Sequence, residues 1–260
     1  MNTSPNDDHD KQPSFVTIDK NHWERNWAPG VGARPLSLLN VFNRDAIALL
    51  SRPLHGTTGA TVVEIGFVPG KFLQFLERHF HAECHGYDYS ESGCRTASRF
   101  LGAQRANVQV HCQDVLAEPP DASHRARLVY SIGVVEHFAD PMGMIRAHLE
   151  PLAEDGVAII ILPNYQGLNL RIQSRLDPDN IAIHNLDSMT PEFWEKHGRQ
   201  FPRYEFTTRQ FGRLNPWMFS LPRLGKAGKL LQLALNFAGF LLPSHVKAWA
   251  SMFVVEIRRR

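Results

Sequence analysis

One stretch in the first half of the chain constrains its fold more than any other. The letters TVVEIGFVPGKFLQFL at 61–76 are a β-branched run that passes through a glycine-containing turn into a helical pattern, and HGYDYS at 85–90 closes a second apolar run. Asp88 lies 22 residues after Gly66. This order predicts a strand, turn, helix and strand that bind a nucleoside, because a glycine lets the backbone approach the ligand and an acid accepts hydrogen bonds from a ribose diol. Gly66, Gly70 and Asp88 are the candidates for these roles.

A glycine turn is also a common plain connection in α/β domains, so the next two strand ends decide between the interpretations. VQVHCQDVL at 108–116 predicts a third short strand that ends at Asp114. ARLVYSIGVVEHFADP at 126–141 predicts a fourth strand that is followed by polar and small residues. The residues at that fourth strand end are Ser131, Gly133, Glu136 and His137. In an open α/β sheet the ligand crevice lies outside the carboxyl ends of the strands, where these residues would meet.

Four strand ends with these residues follow one another in order, and on this basis the segment from Val62 to Asn164 resembles the class I S-adenosylmethionine-dependent methyltransferases. The resemblance implies an α/β fold with a Rossmann-like, mostly parallel seven-stranded sheet, helices on both faces and a helical cap or insertion. It implies S-adenosyl-L-methionine as cofactor, S-adenosyl-L-homocysteine as product and no metal. The implied cofactor-binding residues are Glu64, Gly66 and Gly70 under the methionyl part, Asp88 at the ribose, Tyr89 beside the adenine, Asp114 at the adenine amino group with Val115 beside it, and Ser131 beneath the sulfonium. Phe67 and Gln113, which lie next to these residues in the chain, are further candidates for cofactor binding.

Two positions depart from the family pattern. Phe67 and Val68 stand where the family usually has Cys-Gly or Ser-Ala, so the turn is bulkier and its middle position resists positive φ. We expect the cofactor contact there to be looser or reshaped. Arg127 replaces the acid common before the fourth strand, which we interpret as a surface change with little effect on binding. A dinucleotide dehydrogenase competes for the first motif alone, but it expects a Gly-x-Gly-x-x-Gly pattern that this turn lacks.

Composition favours a single soluble enzyme domain in a reducing cytoplasm. A chain of 260 residues can bury about three quarters of its unfolded surface, which suffices for one core with a cap. The three cysteines contain no Cys-x-x-Cys pair, so neither a disulfide framework nor a zinc site is predicted. The first fourteen residues contain acids and no apolar core, which argues against a secretory signal.

Charge is distributed unevenly along the chain. Residues 195–260 contain 12 Lys or Arg and three acids, although the whole chain has a net charge of only +2. A solvated basic face is one interpretation, and attraction of an anionic substrate, a lipid headgroup or nucleic acid is the other. No recognition module accompanies the basic segment, so nucleic acid is not expected. The apolar run at 230–242 is too short to span a bilayer, which leaves peripheral membrane contact as an open alternative.

We expect five segments along the chain. They are a disordered N-terminus at 1–13, an N-terminal helical cap at 14–56, a cofactor-binding core at 57–164, a substrate-cap insertion at 165–200, and a C-terminal part at 201–260 that completes the sheet and carries an apolar helix near 229–242. Trp23 and Trp27 lie four residues apart and would share one helical face. That face either packs against the core or closes over the cofactor or substrate.

Methyl transfer from a sulfonium requires little more than a positioned nucleophile and a group that removes its proton. His137 is the first candidate for general base, because its ordinary pKa lies near neutrality and it follows the fourth strand. Glu136 is the second catalytic candidate, as a base or as a group that orients the acceptor, although the pair can also be purely structural. The further substrate candidates are Trp27, Asn164, Tyr165, His184 and Asn185.

The sequence therefore predicts a methyltransferase that acts on a small-molecule acceptor as a monomer or homodimer. Oxygen is the expected acceptor atom only because such acceptors are common, since no residue separates it from nitrogen, sulfur or carbon. The Asn/Asp-Pro-Pro-Tyr/Phe tetrapeptide of amino-methylating nucleic-acid enzymes is absent after the fourth strand, as are the paired carboxylates of a metal-dependent catechol-type enzyme. The alternatives are a C- or N-methyltransferase of a lipid-like or anionic metabolite, and a protein that binds the cofactor without transferring methyl.

Overall fold

The computed structural model describes residues 20–26, 33–243 and 246–260. The expected disordered segment at 1–13 and the substrate candidate Trp27 lie outside the described residues. The strands are β1 Thr61–Ile65, β2 Glu83–Asp88, β3 Val108–Cys112, β4 Ala126–Ile132, β5 Leu152–Pro163, β6 Tyr204–Phe211 and β7 Met252–Arg259. The α-helices are α1 Lys20–Asn26, α2 Val41–Leu50, α3 Lys71–Phe80, α4 Glu91–Ala103, α5 Met142–Leu149, α6 Gly167–Leu176, α7 Pro178–Ala182, α8 Pro191–Gly198 and α9 Gly225–Leu241.

The seven strands form one sheet in the order β3-β2-β1-β4-β5-β7-β6. Strands β1 to β5 pair in parallel, whereas β7 is antiparallel to both of its neighbours, β5 and β6. The predicted seven-stranded, mostly parallel sheet is therefore confirmed. The chain reverses direction across the sheet between β1 and β4, and a switch of this kind opens a ligand crevice at the carboxyl ends of the strands.

Two apolar layers cover the two faces of the sheet. Strand β5 contributes to both layers, because successive side chains of a strand point to opposite faces. Val157, Ile159 and Ile161 belong to one layer, and Ala158, Ile160 and Leu162 to the other. Helices α2, α3 and α4 pack on the first layer, whereas α5 and α8 pack on the second. This burial on both faces explains why residues 157–162 of β5 are a continuous apolar run in the sequence.

Several element boundaries differ from those that the sequence pattern predicts. The apolar pattern at 36–50 predicts one helix over that range, but α2 begins only at Val41, because the side chain of Asn40 accepts a hydrogen bond from the backbone N–H of Asn43 and caps the helix there. The β-branched run at 157–164 predicts a strand that starts at Val157, whereas β5 begins at Leu152, because Leu152 pairs with the start of β4 before the register shifts. The Thr190-Pro191 pair predicts the start of a helix, and α8 begins there.

Helix α9 packs with its polar and small residues inward. The sequence predicts an apolar helix near 229–242 that is buried or lies at an interface. In the structure the buried positions of α9 are Gly228, Gln232, Asn236 and Gly239, and its leucines are largely exposed. Among the described residues, no helix has the length and apolar character needed to cross a bilayer.

Candidate active site

A cavity of about 430 Å³ lies at the carboxyl ends of β1 to β4. Its volume falls in the range of roughly 300 to 1,000 Å³ that is typical of small-molecule sites. The lining residues from the ends of β1, β2, β3 and β4 are Ile65, Gly66, Val68, Tyr87, Asp88, Tyr89, Gln113, Asp114, Val115, Leu116, Ile132, Gly133 and Val134. We call this space the first cavity.

The turn after β1 needs glycine for both its conformation and its space. Gly66 has a φ of 71°, which side-chain-bearing residues rarely adopt, and a Cβ atom there would lie 2.5 Å from Cγ2 of Val134. The backbone N–H of Gly66 donates to the carbonyl oxygen of Tyr87 at 2.7 Å. Gly70, with a φ of 88°, ends the turn and begins α3. At Gly66 the turn therefore presents backbone, and not a side chain, at the tip of β1.

The side chain of Phe67 does not reach the first cavity, contrary to its predicted role as a cofactor-binding residue. Its ring is buried against Gly86 of β2, at a place where any Cβ atom on Gly86 would collide with the ring. The glycine makes room in the core for the aromatic group, so the ring turns away from the ligand side. Val68, the other unusual residue of the turn, does line the cavity.

Acids and neighbouring residues from β2 and β3 meet in the first cavity as predicted. Asp88 ends β2, and its Oδ1 accepts a hydrogen bond from the backbone N–H of Ser90 at 2.8 Å. Burial raises the pKa of Asp88 to about 6, and the nearby carboxylate of Glu24 acts in the same direction. Asp114 follows β3, where its Oδ1 accepts from the backbone N–H of Leu116 at 2.9 Å. Two carboxyl groups on adjacent strand ends can therefore accept hydrogen bonds from one ligand.

Two other predicted cofactor residues lie behind the cavity wall. Glu64 is buried in β1 and accepts a hydrogen bond from the Tyr130 hydroxyl at 2.8 Å. Burial raises the pKa of Glu64 to about 8, which the Tyr130 bond and the charge of Lys71 oppose. Ser131 is fully buried, with its hydroxyl 2.9 Å from Nε2 of His148. The structure gives these side chains bonds within the core and does not bring them to the first cavity.

A second cavity of about 440 Å³ adjoins the first. Its walls come from the end of β5, from the insertion and from the C-terminal part. They include the predicted substrate residues Tyr165 and His184. Ile132, Gly133 and His137 line both cavities, so the two spaces meet at the end of β4. A ligand in one cavity would therefore face a ligand in the other across these three residues.

His137 and His184 are held as neutral imidazoles beside this junction. Nδ1 of His137 lies 2.9 Å from the carbonyl oxygen of Ile183, and Nδ1 of His184 lies 2.6 Å from that of Asn180. Because a carbonyl only accepts, each Nδ1 must carry the proton, which leaves each Nε2 with its lone pair. Burial lowers the pKa of His137 to about 4, with a further contribution from nearby His184. Burial also lowers the pKa of His184. Both rings are therefore uncharged near neutral pH.

Glu136 is buried in the wall of the second cavity, and its Oε2 has no hydrogen-bond partner among the described residues. Burial raises the pKa of Glu136 to about 8.

Two predicted substrate residues, Asn185 and Asn164, bond backbone carbonyl groups. The backbone N–H of Asn185 donates to the carbonyl oxygen of Glu136 at 2.7 Å, and its side-chain amide donates to the carbonyl oxygen of Phe138 at 3.2 Å. The side-chain amide of Asn164 donates a hydrogen bond to the backbone carbonyl oxygen of Ala250 at 2.8 Å. Neither asparagine lines the second cavity, whereas Glu136 does.

Comparison with known proteins identifies the family. A family model described as a methyltransferase domain matches residues 37–217, which is well over half of the chain. The chain belongs to the class I S-adenosylmethionine-dependent methyltransferases. A search of curated proteins gave no match for this methyltransferase.

Solved structures share the fold of the methyltransferase at low sequence identity. A methyltransferase from Geobacter sulfurreducens in complex with S-adenosyl-L-homocysteine has a TM-score of 0.56 at 16% identity, over 95% of this chain and 100% of that one. Geranyl diphosphate C-methyltransferase from Streptomyces coelicolor A3(2) has a TM-score of 0.57 at 13% identity, over 93% and 98%. Phosphoethanolamine N-methyltransferase 2 from Haemonchus contortus has a TM-score of 0.56 at 14% identity, over 82% of this chain and 52% of that one. The chain thus spans about half the length of the Haemonchus enzyme.

Helix α1 lies over the first cavity of the methyltransferase. Trp23 lines the cavity, and its ring lies 5.2 Å from that of His137 in an edge-to-face arrangement. The carboxylate of Glu24 accepts hydrogen bonds from the backbone N–H groups of Glu91 at 2.8 Å and Ser92 at 3.1 Å, at the start of α4. An anion at a helix N-terminus is stabilised by such donors and by the helix dipole. The sequence left open whether Trp23 packs against the core or closes over the cofactor or substrate. Its position in the wall of the first cavity supports the second interpretation.

Two groups of side chains in the described part of the methyltransferase contain the residue types that bind divalent cations. Glu136, His137 and His184 form one group, and three histidines near β2 and β3 form the other. In each group, one potential ligand atom per residue lies within 4.8 Å of the others. The members of the second group are His85, His111 and His124. The expectation that the enzyme needs no metal stays a prediction.

Sequence reasoning missed several residues of the two cavities. Val134, Phe138 and Met144 line the first cavity, and Trp217 lines the second. Apolar residues after a strand resemble core residues in the sequence, and the segment that contains Trp217 lies more than 80 positions beyond β4. Arg127 lines neither cavity and donates to the carbonyl oxygen of Pro53 at 3.1 Å, which agrees with its interpretation as a change remote from binding.

Proposed function

We propose that this methyltransferase transfers the methyl group of S-adenosylmethionine to a small-molecule acceptor bound in the second cavity, with oxygen as the acceptor atom. The observation that carries the proposal is that the two cavities meet at Ile132, Gly133 and His137. Methyl transfer needs the donor and the nucleophile in line and in contact, and two adjoining spaces at one strand end supply that arrangement.

The residues of the first cavity fit the cofactor. Asp88 would accept hydrogen bonds from the ribose hydroxyls, and Asp114 from the adenine amino group, because both are carboxyl groups at adjacent strand ends. The backbone at Gly66 would hold the methionyl part, since this position excludes a side chain. When bound, the cofactor supplies an electrophilic methyl group on its sulfonium. The protein then has to position an acceptor and move a proton.

We assign the general base to His137. It lines both cavities, and its Nε2 has the lone pair that proton abstraction requires. A neutral base suits an acceptor that carries a proton, such as a hydroxyl group, which supports oxygen. Glu136 lines the second cavity alone and is the alternative base. The pH dependence of kcat/KM separates the two residues. A base whose pKa is about 4 gives constant activity above about pH 5, whereas a base whose pKa is about 8 gives activity that rises through pH 8.

The size of the second cavity supports a small molecule over a polymer. Its volume of about 440 Å³ is in the range for small-molecule sites, and side chains from the insertion and from the C-terminal part surround it. The solved structures include an N-methyltransferase and a C-methyltransferase, so their names favour no single acceptor atom. A protein that binds the cofactor without transfer is the alternative that Phe67 and Val68 suggest, because their side chains could displace the methionyl tail. Phe67 is buried against Gly86 and does not support this alternative, whereas Val68 lines the first cavity and keeps it open.

Turnover by the His137→Ala variant tests the proposal. Formation of S-adenosylhomocysteine is first measured against a panel of small alcohols, phenols, amines and thiols. With the best acceptor, His137→Ala should lower kcat by about 100-fold or more, as loss of a general base does, while the affinity for S-adenosylmethionine changes less than about threefold. His197→Ala is the matched control, since its Nδ1 also bonds a backbone carbonyl but it lines neither cavity. Unchanged turnover would transfer the role to Glu136 or His184.

A further inference from the structure

The outward side of α9 is an apolar stripe. Leu230, Ala234, Phe237 and Leu241 follow one another at intervals of four, three and four residues, which places them on one side of a helix. The side chains of Leu230, Phe237 and Leu241 are 70%, 57% and 87% exposed. We call these four residues the outer face of α9. A contiguous exposed apolar surface of this kind marks an interaction site more often than scattered single residues do.

Packing on the inner side fixes which side of α9 faces outward. Any Cβ atom on Gly228 would overlap the carbonyl oxygen of Leu221, and one on Gly239 would lie 2.7 Å from that of Leu214. No other residue can occupy these two positions without a shift of the backbone. The helix therefore cannot rotate to bury its leucines unless these close contacts are lost.

Hydrogen bonds on the inner side add to this constraint. Oδ1 of Asn236 accepts from the backbone N–H of Val41 at 3.1 Å, and its Nδ2 donates to the carbonyl oxygen of Leu39 at 2.8 Å. The amide of Gln232 donates to the carbonyl oxygen of Pro216 at 3.3 Å. Rotation of the helix would leave these buried polar groups unpaired, which is costly. The contacts and hydrogen bonds of the inner side therefore keep the leucines exposed.

The charge next to the outer face comes from lysines. The sequence from 206 to 255 contains six Lys or Arg and neither Asp nor Glu, and the three arginines among them, Arg209, Arg213 and Arg223, form ion pairs with acids outside that range. Lys226 and Lys229, in the first two turns of α9, and Lys247 after the helix are exposed. Apolar side chains flanked by lysines are the pattern of a helix that lies in a membrane interface, where anionic headgroups attract the cations. Two copies of this face related by a twofold axis would instead bring like charges together, which disfavours self-association.

We propose that the outer face of α9 docks on the surface of a lipid bilayer that carries anionic headgroups. The inner side of α9 adjoins the second cavity, because Trp217 lines that cavity, is half exposed and donates its indole N–H to Oδ1 of the buried Asn236 at 3.1 Å. A bilayer at the outer face would therefore be separated from the acceptor site by one helix diameter, roughly 10 Å. The consequence that the acceptor is lipophilic rests on the proposed function, whereas the docking itself does not.

Sedimentation of the full chain with vesicles tests the docking without any activity measurement. The probes are phosphatidylcholine vesicles with and without about one third phosphatidylserine. We expect binding to the anionic vesicles at low salt, weaker binding as the ionic strength rises, and little binding to the neutral vesicles. The double variant Leu230→Gln/Phe237→Gln should lose at least about tenfold in partitioning, because burial of one such side chain is worth about that factor.

Leu168→Gln is the matched control, since Leu168 is 61% exposed on α6 and lies outside the outer face. All substituted residues are exposed, so thermal unfolding should be unchanged, which separates a docking defect from misfolding. Failure of the wild-type chain to bind anionic vesicles at low salt would overturn the proposal, as would equal binding by the double variant. A wild-type dimer that the double variant converts to a monomer would also overturn it, because a second copy would then be the occupant.

Discussion

Replacing Asp88 by alanine should weaken S-adenosylmethionine binding about 100-fold or more. An ionised carboxyl group has about four sites that accept hydrogen bonds, and the backbone N–H groups of Ser90 and Tyr89 use two of them. The other two are sufficient for the two hydroxyl groups of a ribose diol. A hydrogen bond to a charged group contributes about 1.5 to 3 kcal/mol, so the loss of two such bonds costs about 3 kcal/mol or more. Each 1.4 kcal/mol is about tenfold in affinity.

Isothermal titration calorimetry at about pH 7.5, where Asp88 is ionised, measures this loss. Asp88→Asn keeps one acceptor oxygen for the Ser90 N–H and should lose only about tenfold. The pH dependence provides a second measure, because burial raises the pKa of Asp88 to about 6. The affinity of the wild-type protein should fall as the pH drops through this value and the carboxylate is protonated. The affinity of Asp88→Asn should be nearly independent of pH over the same range.

Asp121→Ala is the control for the loss of an aspartate that accepts a backbone hydrogen bond in a turn. Oδ1 of Asp121 accepts from the backbone N–H of Ser123 at 2.8 Å, in a turn like that of Asp88, but Asp121 lines neither cavity. It should bind the cofactor like the wild-type protein. A folded Asp88→Ala variant whose Kd stays within about threefold of the wild-type value would refute the assignment of Asp88 to the ribose.

Three further predictions concern the turn, the buried acid and metal ions. Gly66→Ala should lower both the unfolding temperature and the cofactor affinity. Gly59→Ala should lower the unfolding temperature less, because both glycines have a φ of 71° but only a Cβ on Gly66 meets Val134. The thermal stability of the wild-type protein relative to that of Glu136→Gln should fall as the pH rises from about 5 to 8, because folded Glu136 holds its proton up to about pH 8 and the unfolded chain releases it near 4.5. A stability difference between the two proteins that stays constant over this range would show that Glu136 does not titrate in this way. Chelation with EDTA should leave turnover unchanged, and a loss that zinc or magnesium restores would contradict the metal-free expectation.

The predicted site residues that the structure brings together are those whose placement depends on local chemistry. The turn after β1 requires glycine at Gly66 because of its backbone conformation, and the acids Asp88 and Asp114 follow short strands whose ends can be read from the pattern. Parallel pairing then brings these strand ends together without further information. The fold and the glycine and acids of the first cavity, Gly66, Asp88 and Asp114, could therefore be predicted from one sequence.

The parts that could not be predicted depend on distant residues. The direction of Phe67 is decided by the space above Gly86, which lies in another strand. The orientation of α9 depends on backbone carbonyls that Gly228 and Gly239 approach, and a count of apolar residues in the helix indicates the opposite orientation. The second cavity combines the insertion with the C-terminal part, so its shape follows from packing and not from any local motif.

A crystal structure with S-adenosylhomocysteine is the most direct test of the account. We predict the ribose hydroxyls at Asp88, the adenine beside Asp114, and the sulfur at the junction of the two cavities, next to Gly133 and His137. An adenosyl group in the second cavity, or a first cavity that stays empty at saturating ligand, would contradict the account.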